Sequence, residues 1–191
     1  MLTRTQHMTV EQFDTFALQP ENADRNLQYI GGEVIEMVSN PLSSKVALKV
    51  SLFLGIYLLE NDTGHLTGAD GGYRVSGERY IPDVAYISYE KQRVLEYVAG
   101  YVESPPDLAV EVVSPGNDER TMPLKVANYL AAGTVVWMVY PLEREVHVFM
   151  PGQPGVVYGA DDTLDGGALL PGFTLKVSDI FPANVDKDVA E

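Results

Sequence analysis

Three residues near the middle of the sequence are of types that bind metal ions or phosphate. Asp83 lies in the apolar stretch Ile-Pro-Asp-Val, Glu111 is at the centre of Asp-Leu-Ala-Val-Glu-Val-Val, and Lys125 follows on the next predicted helix. A carboxylate inside a buried strand is costly unless it is paired or bound to a cation. Because Mg²⁺ is commonly held by one or two carboxylates and several waters, this set is suited to metal-assisted phosphodiester hydrolysis.

Each residue type has a role in that chemistry. A bound metal polarises the phosphoryl oxygen and lowers the pKa of the attacking water. A neighbouring lysine orients that water or stabilises the charge of the transition state. We therefore expect Asp83 and Glu111 to bind Mg²⁺ or Mn²⁺. We expect Lys125 to orient the attacking water or to stabilise the negative charge on the phosphate.

A structural interpretation exists for every member of this set. A Pro-Asp pair such as Pro82-Asp83 often forms only a turn. Glu111 could pair with a structural Arg or Lys, and Lys125 alone would normally lie on a solvated helix face. The catalytic interpretation therefore depends on all three side chains meeting.

The elements that would position these side chains follow from apolar periodicity, helix caps and turn residues. Helices are predicted at about residues 9–17, 42–60, 89–97 and 119–132. Strands are predicted at 26–30, 33–38, 80–88, 107–113, 135–140, 145–149 and 173–177, with one or two more between 65 and 79. Asp83 and Glu111 then lie on strands, and Lys125 lies on the helix of a strand–helix–strand crossover. The predicted fold class is α/β, with a central mixed β-sheet flanked by helices.

Length and composition indicate one globular domain. The chain has 191 residues, 46% of them hydrophobic, which suffices for a single domain with its core in about residues 26–150 and a loop-rich C-terminal extension at 151–191. The absence of cysteine excludes disulfides and zinc–thiolate sites and fits a reducing cytoplasm. No apolar run of membrane-spanning length and no secretory signal is found, so we expect a cytoplasmic protein without a membrane partner.

An ordered series of motifs resembles the PD-(D/E)XK nuclease superfamily. It is more closely similar to a bacterial family of predicted restriction endonucleases, formerly a domain of unknown function. The motifs are Gly32-Glu33, Ser39-Asn40-Pro41, Pro82-Asp83, Pro106-Asp107-Leu108, Glu111-Val112-Val113-Ser114-Pro115, Lys125, Tyr129, Gly133, Trp137 and Pro141. They span about residues 27–141. The resemblance implies a restriction-endonuclease-like fold and a metal-dependent endonuclease that hydrolyses DNA, with a homodimer favoured because duplex cleavage needs two active sites.

The resemblance also assigns residues. In the superfamily the lysine normally follows the glutamate by two positions, where this chain has Val113; in the similar family a lysine on the next helix takes its place, which maps onto Lys125. Glu33 matches the family's early glutamate, which implies an additional metal ligand. A glutamate at a strand end that faces water is the equal alternative for Glu33.

The net charge of -14 argues against a nucleic-acid substrate, because nucleic-acid binders usually present a basic face. Together with the displaced lysine, it leaves open a non-catalytic binding or regulatory module on a nuclease-like scaffold. A third possibility is a hydrolase of small phosphate compounds, for which a basic groove is unnecessary. Activity on mononucleotides but not on polymers would identify the third.

Overall fold

The computed structural model describes residues 5–37, 40–95, 100–114 and 121–182. Within these ranges the helices are α1 (Val10–Ala17), α2 (Pro41–Glu60) and α3 (Thr121–Ala131), with 3₁₀ turns at Pro20–Asn22 and Val177–Ile180. The strands are β1 (Thr5–His7), β2 (Leu27–Ile30), β3 (Glu33–Glu36), β4 (Gly64–Gly68), β5 (Tyr73–Val75), β6 (Glu78–Tyr80), β7 (Val84–Ser88), β8 (Leu108–Val112), β9 (Val135–Tyr140), β10 (Glu145–Phe149), β11 (Val156–Tyr158), β12 (Thr163–Asp165) and β13 (Thr174–Lys176).

The larger sheet has six strands in the order β11-β10-β9-β8-β7-β4. Its one parallel pair is β8–β9, connected through α3, and the other neighbours are antiparallel. Helix α2 packs on one face of this sheet, and α3 packs on the other. This mixed sheet flanked by helices confirms the predicted fold class.

A second sheet has five strands in the order β1-β3-β2-β6-β5, all antiparallel. Its β2–β3 hairpin turns at Gly31 and Gly32, both with positive φ, as the Gly-Gly pair predicts. Helix α1 covers one face through Phe13, which packs against Tyr29. The opposite face joins the core beside α3.

Local sequence signals start the first two helices where they were predicted. Thr9 and Gln12 form a reciprocal capping box at the start of α1. Asn40 accepts a hydrogen bond from the amide of Ser43, and Pro41 takes the first position of α2. The predicted start of α3, at about residue 119, lies outside the described residues.

The segment after residue 150 belongs to the hydrophobic core. Leu164, Leu170, Phe173 and Ile180 are buried in the same cluster as Trp137. The core therefore extends beyond the predicted range of about 26–150, and the C-terminal segment carries strands β11, β12 and β13 among its loops.

Two predicted elements differ from the structure. The expected single strand at 80–88 is divided at residues 81–83, which places β6 and β7 in different sheets. Pro82 explains the interruption, because proline donates no hydrogen bond to a ladder. The helix expected at 89–97 is also wrong where the structure describes it, since residues 89–91 form a turn and residues 92–95 are not helical.

Helix α2 is long and apolar enough, by length and composition alone, to cross a membrane. One face of it is buried against the larger sheet, with Val46, Val50 and Leu54 in the core. The opposite face carries four exposed apolar residues, here called the α2 stripe: Leu48, Leu52, Ile56 and Leu59, which are 70, 58, 50 and 87% exposed.

Candidate active site

Strand register brings Asp83 and Glu111 together. In the antiparallel β7–β8 pair, Val84 lies opposite Val110 and Ala85 opposite Ala109. One step further along this register, Asp83 lies opposite Glu111. Because side chains alternate along a strand, both carboxylates are on the face of Ala109, which is the face that α3 covers.

Asp83 is fixed by the neighbouring strand. Its Oδ2 accepts a hydrogen bond of 2.7 Å from the backbone amide of Val112. Burial, with the negative charge of Glu111 as the next cause, raises the pKa of Asp83 to about 6, although the Val112 amide and Lys125 act in the opposite direction. Among the described residues, none donates a hydrogen bond to its second oxygen, Oδ1, which is therefore available to a cation.

A second Pro-Asp pair makes the same kind of hydrogen bond to a neighbouring strand. Asp107 precedes β8 and accepts a 2.7 Å hydrogen bond from the amide of Ser88, at the end of β7. Asp83 and Asp107 are thus related by the local two-fold symmetry of the antiparallel pair. Asp107, however, lies 3.4 Å from Lys91 at the opposite end of the pair from Glu111. The two residues share a structural role, and Asp83 alone of the two stands beside Glu111.

Glu111 is a buried carboxylate whose two oxygens both have protein partners. It is 3% exposed; its Oε2 lies 2.6 Å from Nζ of Lys125, and its Oε1 accepts a 3.0 Å hydrogen bond from the hydroxyl of Tyr129. Lys125 and Tyr129 are four residues apart on α3 and so share one face of the helix. The pairing meets the requirement that a buried charge be compensated.

Aromatic and amide groups complete the surroundings of the ammonium group. The ring centroid of Tyr80 lies 5.5 Å from Nζ of Lys125 and 5.2 Å from the ring of Tyr129. Asn128 donates a 2.7 Å hydrogen bond to the Tyr80 hydroxyl. Burial, and then the charge of Glu111, raises the pKa of Tyr129 well above its ordinary value, so its hydroxyl remains a donor to Glu111.

The structure does not bring Glu33 to this pair. Glu33 begins β3 in the smaller sheet, and its Oε1 lies 3.6 Å from Nε2 of His7. Among the described residues, no group of three or more histidine, aspartate or glutamate side chains is placed to hold a metal ion. The expected three-carboxylate set of Asp83, Glu111 and Glu33 is therefore reduced to its first two members.

This donor set fits Mg²⁺ or Mn²⁺. Magnesium is commonly held by one or two carboxylates and keeps several waters, and Asp83 and Glu111 supply two adjacent carboxylates. The lysine beside them would keep one positive charge next to a bound phosphate. Val113, where the superfamily places its lysine, lines an apolar cavity instead.

One contributor is not among the predicted site residues. Tyr129 stands in the sequence only as one of the family motifs, yet its hydroxyl donates a hydrogen bond to a carboxylate oxygen of Glu111. Its spacing of four residues from Lys125 was the available signal, because both side chains point to the same strand.

Comparison with known proteins identifies the family. The model of the Uma2 family, described as "Putative restriction endonuclease", matches residues 10–178. A solved structure from Anabaena variabilis, a "putative nuclease belonging to DUF820", superposes with a TM-score of 0.76 at 17% sequence identity. The match covers 91% of this chain and 97% of that one, and at this identity it shows the fold alone. No curated protein matches the chain. Because the family match covers most of the sequence, including Asp83, Glu111 and Lys125, the chain belongs to the Uma2 family, whose nuclease-like fold is consistent with the PD-(D/E)XK superfamily.

Proposed function

We propose that this protein is an Mg²⁺- or Mn²⁺-dependent endonuclease that hydrolyses phosphodiester bonds of DNA. The observation that carries the proposal is the meeting of Asp83, Glu111 and Lys125 at one buried point between the larger sheet and α3. Membership of a restriction-endonuclease family supports the reaction class. The DNA substrate, the metal, the homodimer and the cytoplasmic location are parts of this proposal.

The roles of the side chains follow from their contacts. Asp83 and Glu111 would hold the cation, which supplies Lewis-acid activation of the phosphate and a more acidic water. Lys125 would keep its positive charge next to the substrate phosphate while its ion pair with Glu111 holds that carboxylate in place. Tyr129 restrains the other oxygen of Glu111. Because α3 supplies both restraints, its position determines the geometry of the site.

Cleavage of supercoiled plasmid DNA tests the proposal directly. We expect nicked and linear products with Mg²⁺ or Mn²⁺ and no products with EDTA. A parallel assay on mononucleotides separates an endonuclease from a hydrolase of small phosphate compounds. If calorimetry detects no binding of either metal to the folded protein, the proposed function is wrong.

A non-catalytic binding module is the second candidate, and two observations favour it. The net charge is -14, and Nζ of Lys125 is engaged in a 2.6 Å ion pair with Glu111. Such a module would bind its ligand without turnover. Metal-dependent cutting that is lost in Asp83→Asn would eliminate this candidate.

Metal affinity should depend on pH through Asp83. With its pKa raised to about 6, this carboxyl is largely protonated below that pH, and a proton competes with the cation. We expect Mg²⁺ affinity to be constant at about pH 7 to 8 and to fall roughly tenfold per pH unit well below the pKa. Isothermal calorimetry across this range measures the effect. Asp107→Asn, at the symmetry-related position, should show the same profile, and an affinity independent of pH would contradict the assignment of Asp83.

A further inference from the structure

Gln28 is a buried amide whose polar atoms have no protein partner. It lies inside β2 and is 0% exposed. Within the described part of the chain, neither Nε2 nor Oε1 makes a hydrogen bond. Buried polar groups are nearly always paired, and an unpaired one costs folding free energy. Leucine at this position would make the folded protein more stable than an unpaired glutamine does. Stability therefore does not explain the presence of the amide.

Register places Gln28 at the edge of the candidate active site. Strand β2 pairs with β6 at Tyr29 and Arg79, so Gln28 lies opposite Tyr80 on the neighbouring strand. Arg79 points towards α1, where it binds Asp14 at 2.7 Å. By alternation, Gln28 and Tyr80 occupy the other face of the sheet.

That other face is the one that meets α3. The Tyr80 ring lies 5.5 Å from Nζ of Lys125, and Ile30, two residues after Gln28, is buried in the same cluster as Tyr80 and Tyr129. The unpartnered amide therefore stands in the layer next to the side chains that surround Glu111.

We propose that Gln28 is a positioning residue whose amide binds a water molecule of the divalent cation held by Asp83 and Glu111. This inference rests on the proposed function. The carbonyl oxygen accepts a hydrogen bond from such a water, and the amide nitrogen donates to an oxygen of the bound phosphate. A neutral amide suits this position because Asp83 and Glu111 already place two negative charges there. Gln28 thereby supplies the third polar contact that Glu33 does not provide.

Replacing Gln28 by leucine separates a ligand-binding amide from a mere packing defect. We expect Gln28→Leu to raise the melting temperature of the metal-free protein by about 2–4 °C, because it removes two unpaired polar atoms. In the same variant, Mg²⁺ affinity measured by calorimetry should fall at least about tenfold. A gain in melting temperature with unchanged Mg²⁺ affinity would overturn the inference.

Two further variants make the result specific. Thr134→Val removes a buried hydroxyl that does have a partner, the carbonyl of Pro106, and should lower the melting temperature without changing Mg²⁺ affinity. Gln28→Glu keeps the shape of the side chain and adds a carboxylate, so it should bind Mg²⁺ more tightly than wild type; unchanged affinity counts against the inference even if Gln28→Leu fails to fold. Wild-type protein that binds no Mg²⁺ would overturn the proposed function and this inference together. Wild-type binding that is equal in the Gln28 variants overturns this inference alone.

The α2 stripe carries a second inference, which rests on the proposed homodimer and assigns it an interface. It is bounded by exposed Lys45 towards the start of the helix, on the face of Leu52, and by exposed Glu60 at the end of the helix, at the side of that face. Lys49, the other basic residue of α2, is turned away and donates to the carbonyls of Asp179 and Phe181. The stripe is thus an apolar helix face with one charge of each sign at its two ends.

We infer that the stripe binds a second copy of this chain with the two α2 helices antiparallel. Two-fold symmetry about Leu52 then places Leu52 against its own counterpart, Leu48 against Ile56 of the partner subunit, and Lys45 against Leu59 of the partner subunit, one residue from the partner subunit's Glu60. The charge complementarity of the two ends specifies the antiparallel direction. A different partner that contacts only the apolar residues of the stripe would not require this arrangement of charges.

Sedimentation velocity tests this interface. Wild type should be a dimer at tens of micromolar, and Leu52→Glu should be a monomer with an unchanged far-UV spectrum. Lys45→Glu should weaken the dimer at least about threefold, and Lys45→Glu with Glu60→Lys should restore it. A monomeric wild type, or a double variant no better than the single one, would overturn the inference. Flotation of wild type with phosphatidylcholine vesicles would assign the stripe to a membrane surface instead.

Discussion

Asp83→Asn should abolish metal-dependent cleavage while leaving the fold intact. The substitution removes one of the two carboxylates proposed to hold the cation, so we expect kcat to fall at least about 100-fold, since metal assistance contributes several kcal/mol. The asparagine side-chain oxygen can still accept the hydrogen bond from the Val112 amide, which keeps the β7–β8 register. Plasmid cleavage under single-turnover conditions measures the loss.

The same substitution should stabilise the metal-free protein. The folded pKa of Asp83, about 6, is above its ordinary value of 3.8, so folding favours the protonated form. Its contribution to stability is fully present below about pH 4 and is lost as the pH rises through about 6. At pH 8, ionised Asp83 should therefore cost on the order of 3 kcal/mol, which Asp83→Asn recovers. Urea unfolding of wild type and Asp83→Asn at about pH 4 and about pH 8 measures the difference.

Asp107→Asn is the matched control for both measurements. It alters the symmetry-related hydrogen bond to the Ser88 amide and the 3.4 Å ion pair with Lys91 but is not adjacent to Glu111. Cleavage should remain within about twofold of wild type, because surface ion pairs contribute little. Equal losses of activity in Asp83→Asn and Asp107→Asn would show that the Pro-Asp pairs serve only the sheet.

Lys125→Met should be among the most destabilising single substitutions in the chain. It leaves Glu111, 3% exposed, without its cationic partner, and breaking a buried ion pair in this way costs about 3–5 kcal/mol. Removing both charges in Lys125→Met with Glu111→Leu should recover most of that stability but no cleavage, because apolar pairs often replace buried ion pairs without loss. Chemical denaturation and the cleavage assay together give both readouts.

The Lys91–Asp107 pair supplies the comparison for this experiment. Its side chains are 28 and 20% exposed and its separation is 3.4 Å, so Lys91→Met should cost less than about 1 kcal/mol. If Lys125→Met is as mild as Lys91→Met, Glu111 has other compensation and the description of the pair is wrong.

The burial of Glu111 and the sequence of strands and helices that carry the site were predictable from the amino-acid sequence. Glu111 within an apolar run of strand length required a partner, and the strand–helix–strand pattern put Lys125 on the helix that covers it. The identity of the site aspartate was harder to infer, because Pro82-Asp83 and Pro106-Asp107 have the same local signature. Only the register of β7 against β8 distinguishes them, and register is a property of pairing between distant segments.

Other parts of the site depend on contacts that local patterns do not encode. A neutral glutamine inside an apolar strand, such as Gln28, carries no charge signal, and its lack of a partner is visible only in three dimensions. Glu33 has the expected residue type, yet its strand belongs to the other sheet. The Gly and Pro residues after position 150 predict loops, and parts of that segment are loops. The apolar residues of the same segment follow no helical or strand period, so the sequence does not indicate that they belong to the core.

The hydrogen bond between Val112 and Asp83 gives the protein an intrinsic magnetic-resonance reporter. The Val112 amide proton points at a carboxylate oxygen, so its ¹⁵N–¹H signal must shift when that carboxylate gains a proton or meets a cation. The amide of Ser88 donates the symmetry-related hydrogen bond to Asp107, so its signal supplies an internal reference within the same spectrum. Occupancy of the proposed centre can thus be followed at a single backbone nucleus, without substrate and without turnover.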